Sequence, residues 1–380
     1  MKILYWTEQV APYIGGVELI TDDFLAALTA SGHEVTVVAR KGELTLDETT
    51  VPGTDVPVHY FPFREALLNN RFDQIAGITR RIADLKARLK PDLVHVNFCG
   101  PSSIFHLRTL AAHRAPTLMT LYALPEQEPS KTGVVERLFA AADWVVGPSQ
   151  AVIDRTRQWF PQVGTKSSVI YNTLNLPEIE VSPLPFDRPE LLCLGRIVPD
   201  KGFDLVIDAL ASIVRVVPGI RLTIAGDGID RPGLEEQARR LNLDDKIVVA
   251  GWVAPKKILE LINTATIVIV PSRWFEPAPL VAIQAAHMGR PVVGARTGGI
   301  PELVVDGVTG VVVEKDDSEA IARAVIHLLE NPDQARAMGE RGKARARSMF
   351  GWQRCIDAYE ALYRSLVDRH RSEEPVGLRS

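Results

Sequence analysis

The stretch Pro271-Ser272-Arg273-Trp274-Phe275-Glu276-Pro277-Ala278-Pro279-Leu280-Val281-Ala282-Ile283-Gln284-Ala285 sets a carboxylate eight residues before an amide. Glu276 falls in a loop after the apolar strand pattern Ile267–Val270. Pro279 suits a first helical turn, where no N–H is needed. Eight residues correspond to at most ~12 Å at helical rise. One extended ligand can then touch both side chains, with helix-terminal amides near its middle. The same residues also read as a capping Glu and an ordinary polar helix position.

Three further junctions have this form. Leu194-Gly195-Arg196-Ile197-Val198-Pro199-Asp200-Lys201-Gly202 follows a strand pattern and opens the helical pattern Phe203–Val216. Arg196 and Lys201 there can converge on one phosphate, aided by the positive helix terminus, or stand as two surface cations. Pro12-Tyr13-Ile14-Gly15-Gly16-Val17-Glu18 has two glycines that let backbone amides approach an anion at a helix start, or form a tight turn. Arg296-Thr297-Gly298-Gly299-Ile300-Pro301-Glu302 enters a short helix after Pro291–Gly294. Neither GxGxxG nor the P-loop GxxxxGK[ST] is present.

The elements that must position these junctions alternate along the chain. Lys2–Trp6, Glu34–Ala39, Asp92–Asn97, Pro116–Leu121 and Trp144–Gly147 read as buried strands, with helices such as Val17–Ser31 and Ala76–Leu89 between. Residues 175–190 hold four prolines and no period, and read as a linker. Leu191–Gly195, Arg221–Gly226, Ile247–Ala250, Thr266–Pro271, Pro291–Gly294 and Gly310–Val313 then resume the alternation. Continuously apolar strands indicate parallel sheets covered on both faces. The predicted class is α/β, with two doubly wound, Rossmann-like domains facing a cleft. The N-terminal domain is predicted at 1–180 and the C-terminal one at 186–350. A terminal helix, 351–370, carries a stripe of Trp352, Ile356, Tyr359, Leu362, Tyr363 and Leu366.

Composition narrows the function classes. A charge of −4, with both halves of the chain slightly acidic, disfavours nucleic acid. Three scattered cysteines, Cys99, Cys193 and Cys355, form no CxxC, which argues against a disulfide framework. No signal-peptide core or membrane span is read, and a cytoplasmic location is expected. One local excess of basic residues, Arg64, Arg71, Arg80, Arg81, Lys86, Arg88 and Lys90, lies in 64–90. It reads as a solvated helix face, or as a contact for an anionic acceptor or the inner face of a membrane. Asp22-Asp23, Asp244-Asp245 and Asp316-Asp317 read as helix-start or turn acids, and no metal cluster is expected.

Taken together, GG after strand one, GRxxxxKG, ExxxxPLVxxxQ and TGGIPELVxDGxTG resemble the retaining nucleotide-sugar glycosyltransferases of GT-B fold, family 4 type, over almost the whole chain. The resemblance implies that the terminal helix crosses back to the N-terminal domain, which handles the acceptor. Gly15 and Gly16 would lie against the donor phosphate and sugar. Arg196 and Lys201, after Gly195, would hold the diphosphate. Glu276, first carboxylate of the family's E-x7-E motif, would bind sugar hydroxyls. Amides of Ala278, Leu280 and Val281 would meet the phosphate, and Gly251 and Trp252 the nucleobase. UDP is the expected nucleotide, on family frequency alone. The reaction implied needs no metal or other cofactor: the acceptor hydroxyl attacks from the face the diphosphate leaves.

Matched positions also depart from the pattern. Gln284 replaces the second Glu, giving one acceptor and one donor group to a ribose diol that a carboxylate would hold by two acceptors. Tyr122 stands where the family has a His, keeping a polar tip without an imidazolium charge. Ala278 replaces a commonly aromatic residue. His95 and Asn97 end a strand, where a lone His is more often hydrogen-bonded structure than catalyst, and are secondary acceptor-side candidates. These departures keep two alternatives open: a GT-B-like nucleotide-sugar epimerase or hydrolase, and a non-catalytic nucleotide-sugar-binding subunit.

Overall fold

The computed structural model describes residues 1–8, 10, 16–44, 46–69, 71–97, 100–124 and 133–373, without the side chains of Val17 and Leu19. The chain divides into two compact units, Met1–Asn175 with Trp352–Ser380, and Leu176–Gly351. The division falls at the start of the proline-rich stretch. That stretch lies along the second unit, where Asn263 Nδ2 donates to the carbonyl of Glu180 at 2.9 Å and Ser182 N–H donates to Asn263 Oδ1 at 3.0 Å.

In the first unit the strands are β1 (Lys2–Trp6), β2 (Glu34–Arg40), β3 (Glu48–Thr50), β4 (Pro57–Phe61), β5 (Leu93–Val96), β6 (Thr117–Thr120), β7 (Trp144–Gly147) and β8 (Ser167–Val169). They form one sheet ordered β3-β4-β2-β1-β5-β6-β7-β8, parallel except for the β3–β4 pair. β1, β5 and β6 are buried almost throughout, as strands covered on both faces must be. The helix Gly16–Ala30 turns Ile20, Phe24, Leu25 and Leu28 inward at helical period. Between Gln150 and Trp159 the helix starts where Ser149 Oγ accepts the N–H of Val152.

The helix Trp352–Glu373 belongs to this unit. Ile356, Tyr359, Tyr363, Leu366 and Val367 are buried in its core with residues of β1, β2, β4 and β5, while Trp352 and Leu362 are only partly covered. Burial of such side chains stabilises by roughly 1.5–3 kcal/mol each, so the unit depends heavily on this late segment.

In the second unit the strands are β9 (Glu190–Leu194), β10 (Arg221–Ala225), β11 (Ile247–Gly251), β12 (Ile267–Val270), β13 (Val292–Ala295) and β14 (Gly310–Val313). Their order is β11-β10-β9-β12-β13-β14, all parallel. The order reverses between β9 and β12, so the loops leaving these two strands diverge and open a crevice at their carboxyl ends. Helices Phe203–Val216 and Ser318–Glu330 pack on each other and cover the core, the second capped by Asp317 Oδ1 accepting from Ala320 N–H at 2.7 Å. Among the described residues, no helix is long and apolar enough to cross a membrane.

Candidate functional site

β9 and β12 pair directly, with Ile267 beside Leu191 and Val268 beside Leu192. The loop after β9 forms the short turn Pro199–Lys201, and the loop after β12 carries Glu276. Lys201 Nζ donates to Glu276 Oε1 at 2.5 Å, and Ser272 Oγ donates to the same oxygen at 2.6 Å. Glu276 is only 3% exposed. Its other carboxylate oxygen makes no hydrogen bond among the described residues. A buried charge is tolerable here because an ammonium and a hydroxyl compensate it.

The backbone around this pair is tightly approached. Gly202 has φ of +67°, and a Cβ there would strike the carbonyl oxygen of Pro271. Gly298, at φ +52°, has the carbonyl of Glu276 where a Cβ would stand, and Gly299 N–H donates to that carbonyl at 2.7 Å. The glycines of the KG and TGG motifs therefore let two loops close on Lys201 and Glu276. Arg273 ties the same loops together. It donates to both carboxylate oxygens of Asp204, to Asp316 Oδ1 at 2.8 Å and to the carbonyl of Pro199 at 3.1 Å. Those hydrogen bonds, chiefly the Asp204 one, push its pKa further up. Trp274 lies with its ring centroid 5.5 Å from Lys201 Nζ, and its carbonyl accepts from Thr297 Oγ1 at 3.0 Å.

The other second-unit candidates surround this crevice. Arg196 is exposed, two residues past β9, and makes no ion pair among the described residues. Gly195 precedes it in an extended turn at φ +153°. Pro279 sits one residue before the helix Leu280–His287, so the helix starts a residue later than the proline rule predicts. Ala278 and Val281 are buried and Leu280 half-buried at that start. Gln284 is 7% exposed, a turn further on, and its side-chain amide makes no hydrogen bond among the described residues. Gly251 ends β11 and its carbonyl accepts from Gly226 N–H at 2.8 Å, leaving Trp252 59% exposed beside it.

The first-unit candidates divide differently. Gly15 lies outside the described residues, as does Cys99; Gly16 opens its helix and is exposed. Tyr122 is half-buried just past β6, and burial, with a smaller contribution from Cys355, raises its phenol pKa. His95 corrects the acceptor-side expectation. It is 1% exposed, with Nδ1 2.7 Å from Tyr363 Oη and Nε2 2.8 Å from Thr120 Oγ1. Both nitrogens are occupied by protein, and burial lowers its pKa to about 3, so it is a neutral core residue that joins β5 to the terminal helix. Asn97 is fully buried too, its amide donating to Thr21 Oγ1 at 3.1 Å.

The basic stretch also needs one correction. Arg64, Arg71, Arg80, Arg81, Arg88 and Lys90 are exposed, but Lys86 is buried. Its ammonium lies 3.2 Å from His106 Nδ1 and points at the carbonyls of His106 and Thr109, and desolvation lowers its pKa to about 7. Ser272, Arg273 and Gly298 are the site residues that sequence reasoning missed. The available signal was polar and Gly residues at strand-end positions close to Glu276.

Comparisons with known proteins bear on both units. Residues 14–177 match the model described as Glycosyltransferase Family 4, and residues 177–345 match Glycosyl transferases group 1. The chain is 28% identical over 417 residues to a glycogen synthase of Mycobacterium tuberculosis, covering 99% of this chain and 97% of that one. Sucrose-phosphate synthase from Thermosynechococcus elongatus has the same fold, with a TM-score of 0.82 at 22% identity over 97% of this chain and 99% of that one. Anabaena HepE in complex with UDP and glucose superposes with a TM-score of 0.77 at 23% identity, over 96% and 100%. Two contiguous family matches, parallel sheets of Rossmann type in each unit, and relatives that match end to end place this chain among the GT-B glycosyltransferases of family 4 type.

Proposed function

We propose that the chain is a retaining glycosyltransferase that moves a sugar from a UDP-sugar to a hydroxyl acceptor, without a metal ion. The observation that carries this reading is the Lys201–Glu276 pair at the reversal of the second sheet, with one carboxylate oxygen uncommitted. An ammonium has three donors, so Lys201 can keep Glu276 and still hold a phosphate oxygen. Arg196, exposed and without an ion pair among the described residues, supplies a second cation for the diphosphate. Ala278, Leu280 and Val281 offer amides at a helix start, where negative charge is favoured. Gln284 takes the ribose, and Gly251 and Trp252 take the base. The free oxygen of Glu276 accepts from sugar hydroxyls.

Catalysis on this reading is positional and electrostatic. The glycosidic bond to the diphosphate breaks as the acceptor hydroxyl attacks from the same face. The leaving phosphate oxygen takes the hydroxyl proton, and Lys201 and Arg196 balance the charge it gains. Tyr122 and Gly16 of the first unit are proposed to serve the same transfer. UDP is preferred because HepE, of the same fold, was crystallised with UDP and glucose. Leu68 and Phe72, 69% and 77% exposed beside Arg64 and Arg71, support a contact with an anionic acceptor or lipid surface.

The test is calorimetry with UDP, GDP, ADP, TDP and their sugars, followed by product analysis. UDP is expected to bind, with Lys201→Ala and Arg196→Ala each cutting transfer strongly while the protein stays folded and EDTA has no effect. Activity that chelation abolishes and both variants keep would sink the diphosphate assignment. Sugar release or epimerisation in the presence of acceptors, with no transfer, would favour the epimerase or hydrolase alternative. Binding without any turnover would favour the non-catalytic one.

A further inference from the structure

We propose that Ser272 is a positioning residue for sugar transfer, holding the Glu276 carboxylate so that a single oxygen faces the donor sugar. Ser272 is 1% exposed, in the loop that follows β12, and its hydroxyl donates to Glu276 Oε1 at 2.6 Å. Lys201 donates to that same oxygen at 2.5 Å. Two donors on Oε1 fill its lone pairs, while Oε2 keeps both of its own. The carboxylate is thus polarised by geometry into a committed oxygen and an open one. Its backbone is fixed as well, by Gly299 N–H on the Glu276 carbonyl and by the absence of a side chain at Gly298.

The two donors differ in one respect. Lys201 is a cation, and a bound diphosphate competes with Glu276 for it. Ser272 is neutral and buried, and has no such competitor. As the phosphate takes its share of the ammonium, the serine hydroxyl stays undivided on Oε1 and keeps the Glu276 side chain in its rotamer. The carboxylate therefore stays aimed through the step in which charge moves onto the diphosphate. A glutamate freed from that bond spreads over several rotamers, and its alignment with the sugar is lost before binding of the nucleotide is.

The proposal rests on Glu276 as the acceptor of donor-sugar hydroxyls, so its test separates the two ideas. UDP release from UDP-glucose is followed for the full-length protein, with UDP as a competitive inhibitor. For Ser272→Ala, kcat/KM is expected to fall about ten-fold, the order of one lost hydrogen bond, with the fall in kcat. The inhibition constant of UDP should stay within two-fold, because UDP has no sugar to meet Glu276. Ser272→Thr, which keeps the hydroxyl, should recover most of the rate. Equal loss of UDP affinity and kcat in Ser272→Ala, or wild-type turnover in it, overturns the proposal, and so does failure of Ser272→Thr to recover in a folded protein. If Glu276→Gln keeps wild-type turnover, the reading of Glu276 itself falls and takes Ser272 with it.

Discussion

The guanidinium of Arg273 grips Asp204 by both carboxylate oxygens, at 2.5 and 2.6 Å, across the gap between the loop after β12 and the first turn of the helix Phe203–Val216. The same guanidinium reaches the carbonyl of Pro199, in the turn that ends at Lys201. One planar fork thus sets the distance between the loops that carry Lys201 and Glu276. Planarity matters: a lysine can satisfy one of these acceptors but not the fork. Both partners are partly exposed, so the expected stability loss for Arg273→Lys is modest, roughly 1 kcal/mol after screening. The expected loss of transfer is larger, about ten-fold or more, because misplacement is costly at a reacting centre. Urea unfolding and initial rates on one preparation check both.

Gln284 makes the opposite kind of prediction, a gain. Its amide is nearly buried and uncommitted. Gln284→Glu should tighten nucleotide binding by supplying two acceptors to a diol. Calorimetry with UDP reads the result, and ten-fold weaker binding would remove Gln284 from the ribose.

Stability should depend on acid through His95. Its folded pKa is lowered to about 3 from the usual 6.5. Between those values the unfolded chain binds a proton that the folded chain refuses, so stability falls as pH falls through that window and is fully present above it. One such group contributes a slope of at most ~1.4 kcal/mol per pH unit. His95→Gln cannot take up the proton. The stability gap between wild type and His95→Gln, measured in urea, is expected to shrink by about 2.5 kcal/mol from pH 7 to pH 4.5. A gap that stays constant would show that His95 does not titrate as described.

Two glycine substitutions should have opposite signs. Gly298→Ala places a methyl on the Glu276 carbonyl at a left-handed φ, and should both destabilise the second unit and abolish transfer. Gly77→Ala lies within the helix Phe72–Leu89 with open space around it, and should stabilise by about 0.5–1 kcal/mol. Thermal unfolding distinguishes them.

The parallel sheets were legible in the amino-acid sequence because strands covered on both faces, such as Ile267–Val270 and Val292–Ala295, are apolar without interruption. Glu48–Thr50, wholly exposed at a sheet edge, and Ser167–Val169 have no such signature and were not expected. Chemistry-bearing residues were legible by type and by place after a strand. Their pairing was not: Lys201 and Glu276 lie 75 positions apart, and only the neighbouring of β9 and β12 brings them together. Charge misled at Lys86, where a long aliphatic stem and three acceptors make burial tolerable. For His95 the structural reading, the commoner one for a lone strand-end histidine, is the one that holds; type and place alone do not separate a ring that meets solvent from one that meets tyrosines.

The helix Trp352–Glu373 has a consequence for biosynthesis. A ribosome delivers all of 176–351 before the segment that fills the first unit's core, so the unit that begins first is the one completed last. Until Tyr359 and Tyr363 emerge, His95 and Thr120 have no partners from that helix, and the nascent first unit exposes apolar surface that the finished one hides. Of the two units, the first is where a chaperone would bind during translation.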